Sequence, residues 1–164
     1  MVRPVLFLDV DGVINPFGAA CPAGFTEHHL FPGEEPVRIN PEHGIWITEL
    51  TGAFDVVWAT GWNDEANRLL APLLQIKPLP VLTMPAAPFQ PGDKVPLVAS
   101  YAGGRAAAWI DDAHTPEARA WSQARQAPTR LIAIKPAVGL TRASVRQALD
   151  WARGEVPGAA TGER

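Results

Sequence analysis

Cysteine is almost missing from this chain: Cys21 stands alone among 164 residues. One thiol cannot build an internal disulfide framework, so a reducing compartment is the natural expectation. No activating partner adjoins it in sequence, which argues against a reactive thiol. Basic charge is also scarce, with 14 Lys and Arg against 17 Asp and Glu and a formal net charge of −3. The basic footprint that carries most of the affinity of a nucleic-acid binder is therefore lacking. No stable grip on nucleic acid is expected, although action on a strand end stays open. Long apolar runs are absent too. The run after Arg3 is cut off by Asp9, too short for a signal peptide, and none approaches the roughly 18 residues a membrane helix needs. A cytoplasmic protein with no membrane partner is expected. There is no internal repeat.

What is present suits a single core, since 47% of the residues are apolar. One domain over residues 1–153 is expected, followed by a flexible tail at 154–164 ("GEVPGAATGER") too poor in apolar residues to order itself. Residues 4–10 read as a fully buried strand, short and continuously apolar up to the turn signal Asp11-Gly12. Similar runs recur at 54–59 ("FDVVWA"), 79–83 ("LPVLT", weakened by Pro80), 106–110 ("AAAWI") and 130–134 ("RLIAI"). Helical spacing lies between them. Residues 41–50 follow Asn40 as a cap with Pro41 at the first position, and 63–74 place Ala66, Leu69, Leu70, Leu73 and Leu74 on one face. Residues 94–101, 116–124 after Thr115, and 143–153 complete the series. Buried runs alternating with helices predict an α/β fold with a parallel sheet covered on both faces.

Residues 13–39 break the alternation. Pro16, Pro22, Pro32 and Pro36, several glycines and the scattered Phe17, Phe25 and Phe31 predict a flap over the surface after the first strand. Its aromatics, with His28 and His29, face two readings. They pack the flap onto the sheet edge, or one or two of them join Trp62 in a stacking surface for a flat leaving group such as a nucleobase.

In open α/β sheets, ligands bind beyond the carboxyl ends of the strands. The polar residues that close the apolar runs are therefore site candidates: Asp9 and Asp11, Thr60, and Asp111 with Asp112. Four acids meeting at one edge repel one another unless a cation sits among them, because a buried unpaired carboxylate costs several kcal/mol. Mg²⁺ suits carboxylates that also leave room for water and phosphate. A lone Asp at a strand end is otherwise a turn former, a reading that stays open for Asp112 but fits Asp9 poorly, since Asp9 lies inside the apolar pattern. Thr60 could merely cap a helix starting near Trp62, although a cap and a phosphate need the same geometry. Lys94 opens a helix, where a cation opposes the macrodipole by about 0.3–1 kcal/mol. Lys135-Pro136 is the rival lysine and reads as a strand exit.

The order "DVDGV", "ATG", a lysine at a helix start and "IDD" resembles the haloacid dehalogenase (HAD) superfamily of phosphohydrolases, over roughly residues 4–135. The resemblance implies a Rossmann-like three-layer sandwich with five parallel strands, and an aspartyl-phosphate enzyme that uses Mg²⁺. It implies Asp9 as nucleophile, Asp11 as general acid and base, and Thr60 and Lys94 as phosphoryl binders. The metal ligands would be Asp9, the Asp11 carbonyl, Asp111 and Asp112. Backbone N–H groups around Gly12 and Gly61 would assist with the phosphoryl oxygens. Only about ten residues separate the third strand from Lys94, and the 13–39 segment is short and Pro-rich, so this member looks capless. Capless members tend to act on macromolecules or ends that reach an open site, and "DVDGVIN" with "ATGW" is similar to HAD domains linked to RNA repair. The expected partner is thus a phosphorylated substrate, either a small molecule or a macromolecular end.

Two rivals come from outside catalysis. A phospho-accepting receiver module shares the α/β core, the acids and a Lys-Pro, but its phosphorylated Asp follows the third strand and its paired acids the first. Here the Asp-Asp pair follows the fourth run, an order that favours the phosphatase. The second rival is a metal-binding interaction module without turnover.

Overall fold

The computed structural model describes residues 2–155. Its main sheet is parallel, with strands β1 (Val5–Leu8), β4 (Asp55–Trp58), β5 (Ala107–Asp111) and β6 (Thr129–Ala133) in the spatial order β4-β1-β5-β6. A small antiparallel pair, β2 (Thr26–His28) and β3 (Val37–Ile39), occupies the segment expected to be a flap. The helices are α1 (Pro41–Thr51), α2 (Ala71–Leu74), α3 (Lys94–Ala102), α4 (Pro116–Ala124) and α5 (Arg142–Glu155). Gly154 and Glu155 thus close α5, and the rest of the expected tail lies outside the described residues.

Alternation along the strands builds the layers. Leu6, Leu8, Val56, Trp58, Ala108 and Ile110 point to one face, where Ile47 and Leu50 of α1 and Val145, Ala148 and Leu149 of α5 cover them. Val5, Phe7, Val57, Ala107 and Trp109 point to the other, against Val95, Val98 and Ala102 of α3 and Ala118 of α4. All four residues of β1 are fully buried, as a central strand covered on both faces requires.

Among the described residues the main sheet has four strands, not the five expected. Residues 79–83 contribute one parallel bridge, Trp58 to Val81, flanked by the Trp58 N–H to Pro80 carbonyl bond and the Leu82 N–H to Trp58 carbonyl bond, both 2.9 Å. Pro78 and Pro80 have no N–H to donate, and Pro85 soon follows, so no longer ladder forms. The segment 63–74 differs as well. A turn runs from Gly61 to Asp64, then a π-helical turn spans Ala66–Leu70 before α2 begins. Asn63 causes the delay: it sits at φ 50°, its side-chain oxygen accepts the Met84 N–H at 2.8 Å, and its amide donates to the Met84 carbonyl at 3.4 Å.

Topology and register place the site. The chain moves from β1 outward to β4, then crosses back to β5 on the other side of β1, so strand order reverses between β1 and β5. Leu8 is level with both Trp58 and Ile110, and the Asp9 N–H donates to the Ile110 carbonyl at 3.1 Å. Asp9, Thr60 and Asp111 therefore emerge together. No helix of the described residues is long and apolar enough to cross a membrane.

Candidate active site

Beyond the carboxyl ends of the strands lies a cleft of about 960 Å³, bordered by Asp9, Asp11, Thr60, Gly61, Trp62, Lys94, Asp111 and Asp112. Every residue of the four sequence motifs that carries a functional side chain reaches it. After β1 the chain turns back on itself, with the Ile14 and Asn15 N–H groups both donating to the Val10 carbonyl at 2.8 and 3.0 Å. Gly12 is required in that turn. Its φ is +80°, and a Cβ there would stand 2.2 Å from Asp112 Oδ2.

On the floor of the cleft, Lys94 explains its own odd position at a helix start. Its Nζ lies 3.1 Å from Asp9 Oδ1 and 2.8 Å from Asp111 Oδ2, and it donates to the Ala59 carbonyl at 2.9 Å. All three side chains are buried, at 6% exposure for Asp9, 7% for Lys94 and 2% for Asp111. Asp111 also accepts from the indole N–H of Trp109 at 3.2 Å and from the Ala113 N–H at 2.9 Å.

One ammonium thus serves two buried carboxylates, and it serves them unequally. Burial pushes the Asp9 carboxyl well above its usual value, and the Lys94 charge only partly opposes this. Burial works the same way on Asp111, but the Lys94 charge and hydrogen bond together with the Ala113 N–H outweigh it and hold Asp111 below the usual range. Asp112, half-buried, is raised by desolvation and by the Asp111 charge beside it. On Lys94 itself, desolvation is outweighed by its two acidic partners and the ammonium is reinforced.

Carboxylate oxygens of Asp9, Asp111 and Asp112 all lie within 4.8 Å of one another. The donor set is all oxygen, Asp9 is short of compensating charge, and the space beside Asp112 is kept free of side-chain atoms by Gly12. These residues fit a hard divalent cation such as Mg²⁺. The Asp11 side chain stands apart from that triad.

Asp11 forms the wall of the cleft together with Asn15, which sequence reasoning did not reach, and Trp62, which it offered as a stacking surface rather than as a partner of Asp11. The side-chain amide of Asn15 donates to Asp11 Oδ1 at 3.1 Å, and the indole N–H of Trp62 donates to Asp11 Oδ2 at 3.1 Å. Thr60 Oγ1 accepts the Trp62 N–H at 3.2 Å, so Thr60 does cap the turn that follows it while facing the cleft. Gly61 lies close to Phe89, whose ring carbon would be 2.9 Å from a Cβ at that position.

The flap aromatics divide. Phe31 meets Trp62 edge-on with ring centroids 5.1 Å apart, and Phe17, 51% exposed, borders the cleft. Phe25 instead packs against His43, with centroids 5.3 Å apart. His28 pairs with Val37 in the hairpin and its Nε2 lies 3.0 Å from Thr26 Oγ1. Neither His28 nor His29 borders the cleft. Lys135 is exposed at the exit of β6, where its carbonyl accepts the Val138 and Gly139 N–H groups, and it too stands outside the cleft.

Among curated proteins nothing matches this chain. A family model described as the HAD domain in Swiss Army Knife RNA repair proteins matches residues 5–145, from the first residue of β1 into α5. With Asp9, Thr60, Lys94 and Asp111 all inside that match and gathered at one sheet edge, the chain belongs to this HAD-domain family.

Proposed function

We propose that the chain is a Mg²⁺-dependent phosphatase that hydrolyses a phosphate monoester through an aspartyl-phosphate on Asp9, the ester being carried by a nucleotide or a nucleic-acid end. The observation that carries this reading is the buried Asp9–Lys94–Asp111 array opening into a cleft, with Asp11 two residues from Asp9 on the wall. The side chains of Asp9, Asp111 and Asp112 and the Asp11 carbonyl would hold Mg²⁺, which when bound neutralises charge on the phosphoryl oxygens.

In the first step a carboxylate oxygen of Asp9 attacks phosphorus. The bond from phosphorus to the leaving oxygen breaks, and that oxygen takes its electron pair and a proton from Asp11. In the second, Asp11 removes a proton from water as the water oxygen attacks phosphorus. The bond to Asp9 breaks, inorganic phosphate leaves, and both aspartates are restored. Lys94, the Thr60 hydroxyl and the N–H groups around Gly12 and Gly61 would bind the equatorial oxygens, where charge spreads in the transition state.

Substrate class is supported by the family description and by the aromatic wall of Trp62 and Phe31. Charge limits how far a strand can follow. Lys94 and Arg38 are the cations bordering the cleft, against four aspartates and Glu34, Glu35 and Glu65. Arg38 is already committed, 3.7 Å from Glu27 and donating to the Gly18 and Ala20 carbonyls. A terminal residue fits this surface better than a long polyanion, which agrees with the absence of a basic footprint in the sequence.

The test is phosphate release from p-nitrophenyl phosphate, nucleoside monophosphates and oligonucleotides phosphorylated at either end, with Mg²⁺ and with excess EDTA. Mg²⁺-dependent release, fastest on a nucleotide or an oligonucleotide end, is the expected result. Full activity in EDTA would remove the metal from the reading, and no release from any ester would remove turnover.

A further inference from the structure

Asp11 stands in an open cleft, yet neither of its oxygens is free to swing. The amide of Asn15 holds Oδ1 and the indole N–H of Trp62 holds Oδ2, each at 3.1 Å. Each donor is itself anchored. Asn15 is only 8% exposed, and its side-chain oxygen accepts the Arg38 N–H of β3 at 2.9 Å. Trp62 is fixed through its backbone N–H on Thr60 Oγ1 and through its ring against Phe31.

A carboxyl oxygen accommodates two partners. One N–H on each oxygen therefore leaves a second position on each for the transferred proton and the leaving oxygen. Proton transfer needs those positions fixed, since a displacement of about 1 Å can cost on the order of a hundredfold in rate. We propose that Asn15 and Trp62 are positioning residues that fix the carboxyl plane of Asp11 for proton transfer to the leaving oxygen, with Asn15 tying that plane to the hairpin at Arg38. The proposal rests on Asp11 being the proton donor.

The test compares two esters of similar ring size with Mg²⁺ supplied: p-nitrophenyl phosphate, whose leaving oxygen departs without needing a proton, and benzyl phosphate, whose alkoxide needs one. The quantity read is the ratio of kcat/KM on the two esters, which reports steps up to the first irreversible one and cancels any inactive fraction of a variant. Trp62→Phe removes the N–H and keeps a ring against Phe31. Asn15→Ala removes the donor to Asp11 together with the acceptor for Arg38, without adding charge beside the carboxyl. Asp11→Asn is the reference and should depress benzyl phosphate selectively by about 10²-fold or more. Both positioning variants should depress benzyl phosphate about tenfold more than p-nitrophenyl phosphate, in the same direction as Asp11→Asn. Equal losses on both esters in Trp62→Phe and Asn15→Ala, with Asp11→Asn still selective, would overturn the proposal and leave Asp11 as the acid. Equal losses in Asp11→Asn itself would overturn the assignment of Asp11, and the proposal with it.

Discussion

On the floor of the cleft, Asp9 and Asp111 are buried and share the charge of Lys94; on its wall, Asp11 is partly exposed and held by two neutral N–H donors. The floor is made by strand ends and the first residue of α3, the wall by turns. On the proposed chemistry, the difference is one of task. A nucleophile and metal ligands need their charge compensated when phosphate is absent, whereas a residue that gains and loses a proton within each turnover needs a fixed place and no permanent counter-ion. The floor should therefore answer to charge changes and the wall to the loss of hydrogen-bond direction.

The largest effect is expected at Asp9, the proposed nucleophile. Asp9→Asn should lower turnover of any phosphate ester by about 10⁴-fold or more, since the amide cannot form the acyl phosphate. Steady-state assay on protein checked for deamidation reads it, and retained turnover would place the nucleophile elsewhere.

Next comes the charge on the floor. Lys94→Met leaves two buried carboxylates without their cation, which should cost about 3–5 kcal/mol of stability in EDTA. Added Mg²⁺ should return part of that loss, because the cation replaces the missing charge. Denaturation with and without Mg²⁺ measures both, and identical losses in the two conditions would break the proposed link between the acids and the metal.

Outside the cleft, His43 gives the same contrast a pH signature. It is fully buried in α1, bonded through Nε2 to the Leu140 carbonyl at 3.0 Å with Nδ1 unpartnered, and burial pushes its pKa from 6.5 down to about 4. The unfolded chain binds a proton that the folded ring refuses. Stability that is complete above about pH 6.5 is therefore lost as pH falls toward 4, by about 3 kcal/mol in all. Urea denaturation at pH 7 and pH 4.5 should show the loss in the parent protein, and a flatter profile in His43→Gln.

The smallest effect concerns geometry alone. Gly12→Ala changes no charge, but it forces a side chain to φ +80° and against Asp112, which should cost about 1–3 kcal/mol and raise the Mg²⁺ concentration needed for half-maximal activity. An unchanged Mg²⁺ requirement would show that Asp112 moves aside without consequence.

The floor could be read from the sequence and the wall only in part: Asp11 and Trp62 stood out as candidates, but Asn15 and the bonds that join the three did not. Asp9, Lys94 and Asp111 interrupt patterns that are otherwise easy to see, an acid inside an apolar run and a cation at a helix start, so their misfit announces them. Asn15 and Trp62 obey their local patterns. Asn15 ends a turn and Trp62 follows a glycine, and the bond from Trp62 to Asp11 spans 51 residues with no periodicity to reveal it. Strand positions were legible for the same reason as the floor, since β1, β4, β5 and β6 are short apolar runs. The third run, 79–83, failed on Pro80, and 63–74 failed as one continuous α-helix because Asn63 takes a left-handed turn for the sake of Met84. The flap aromatics were counted together in sequence, whereas packing sends Phe31 to Trp62 and Phe25 to His43.

The proposed chemistry requires a phosphoryl group to reside on Asp9. Acid quenching during turnover of p-nitrophenyl phosphate with Mg²⁺, borohydride reduction of the acyl phosphate and peptide mapping by mass spectrometry would locate it. The proposed chemistry predicts a reduced residue at position 9, formed in the parent protein, absent from Asp9→Asn, and lost when the substrate is exhausted before the quench. Steady hydrolysis with position 9 unmodified at every time point, together with a modification at another residue or an Asp9→Asn variant that keeps its rate, would contradict it.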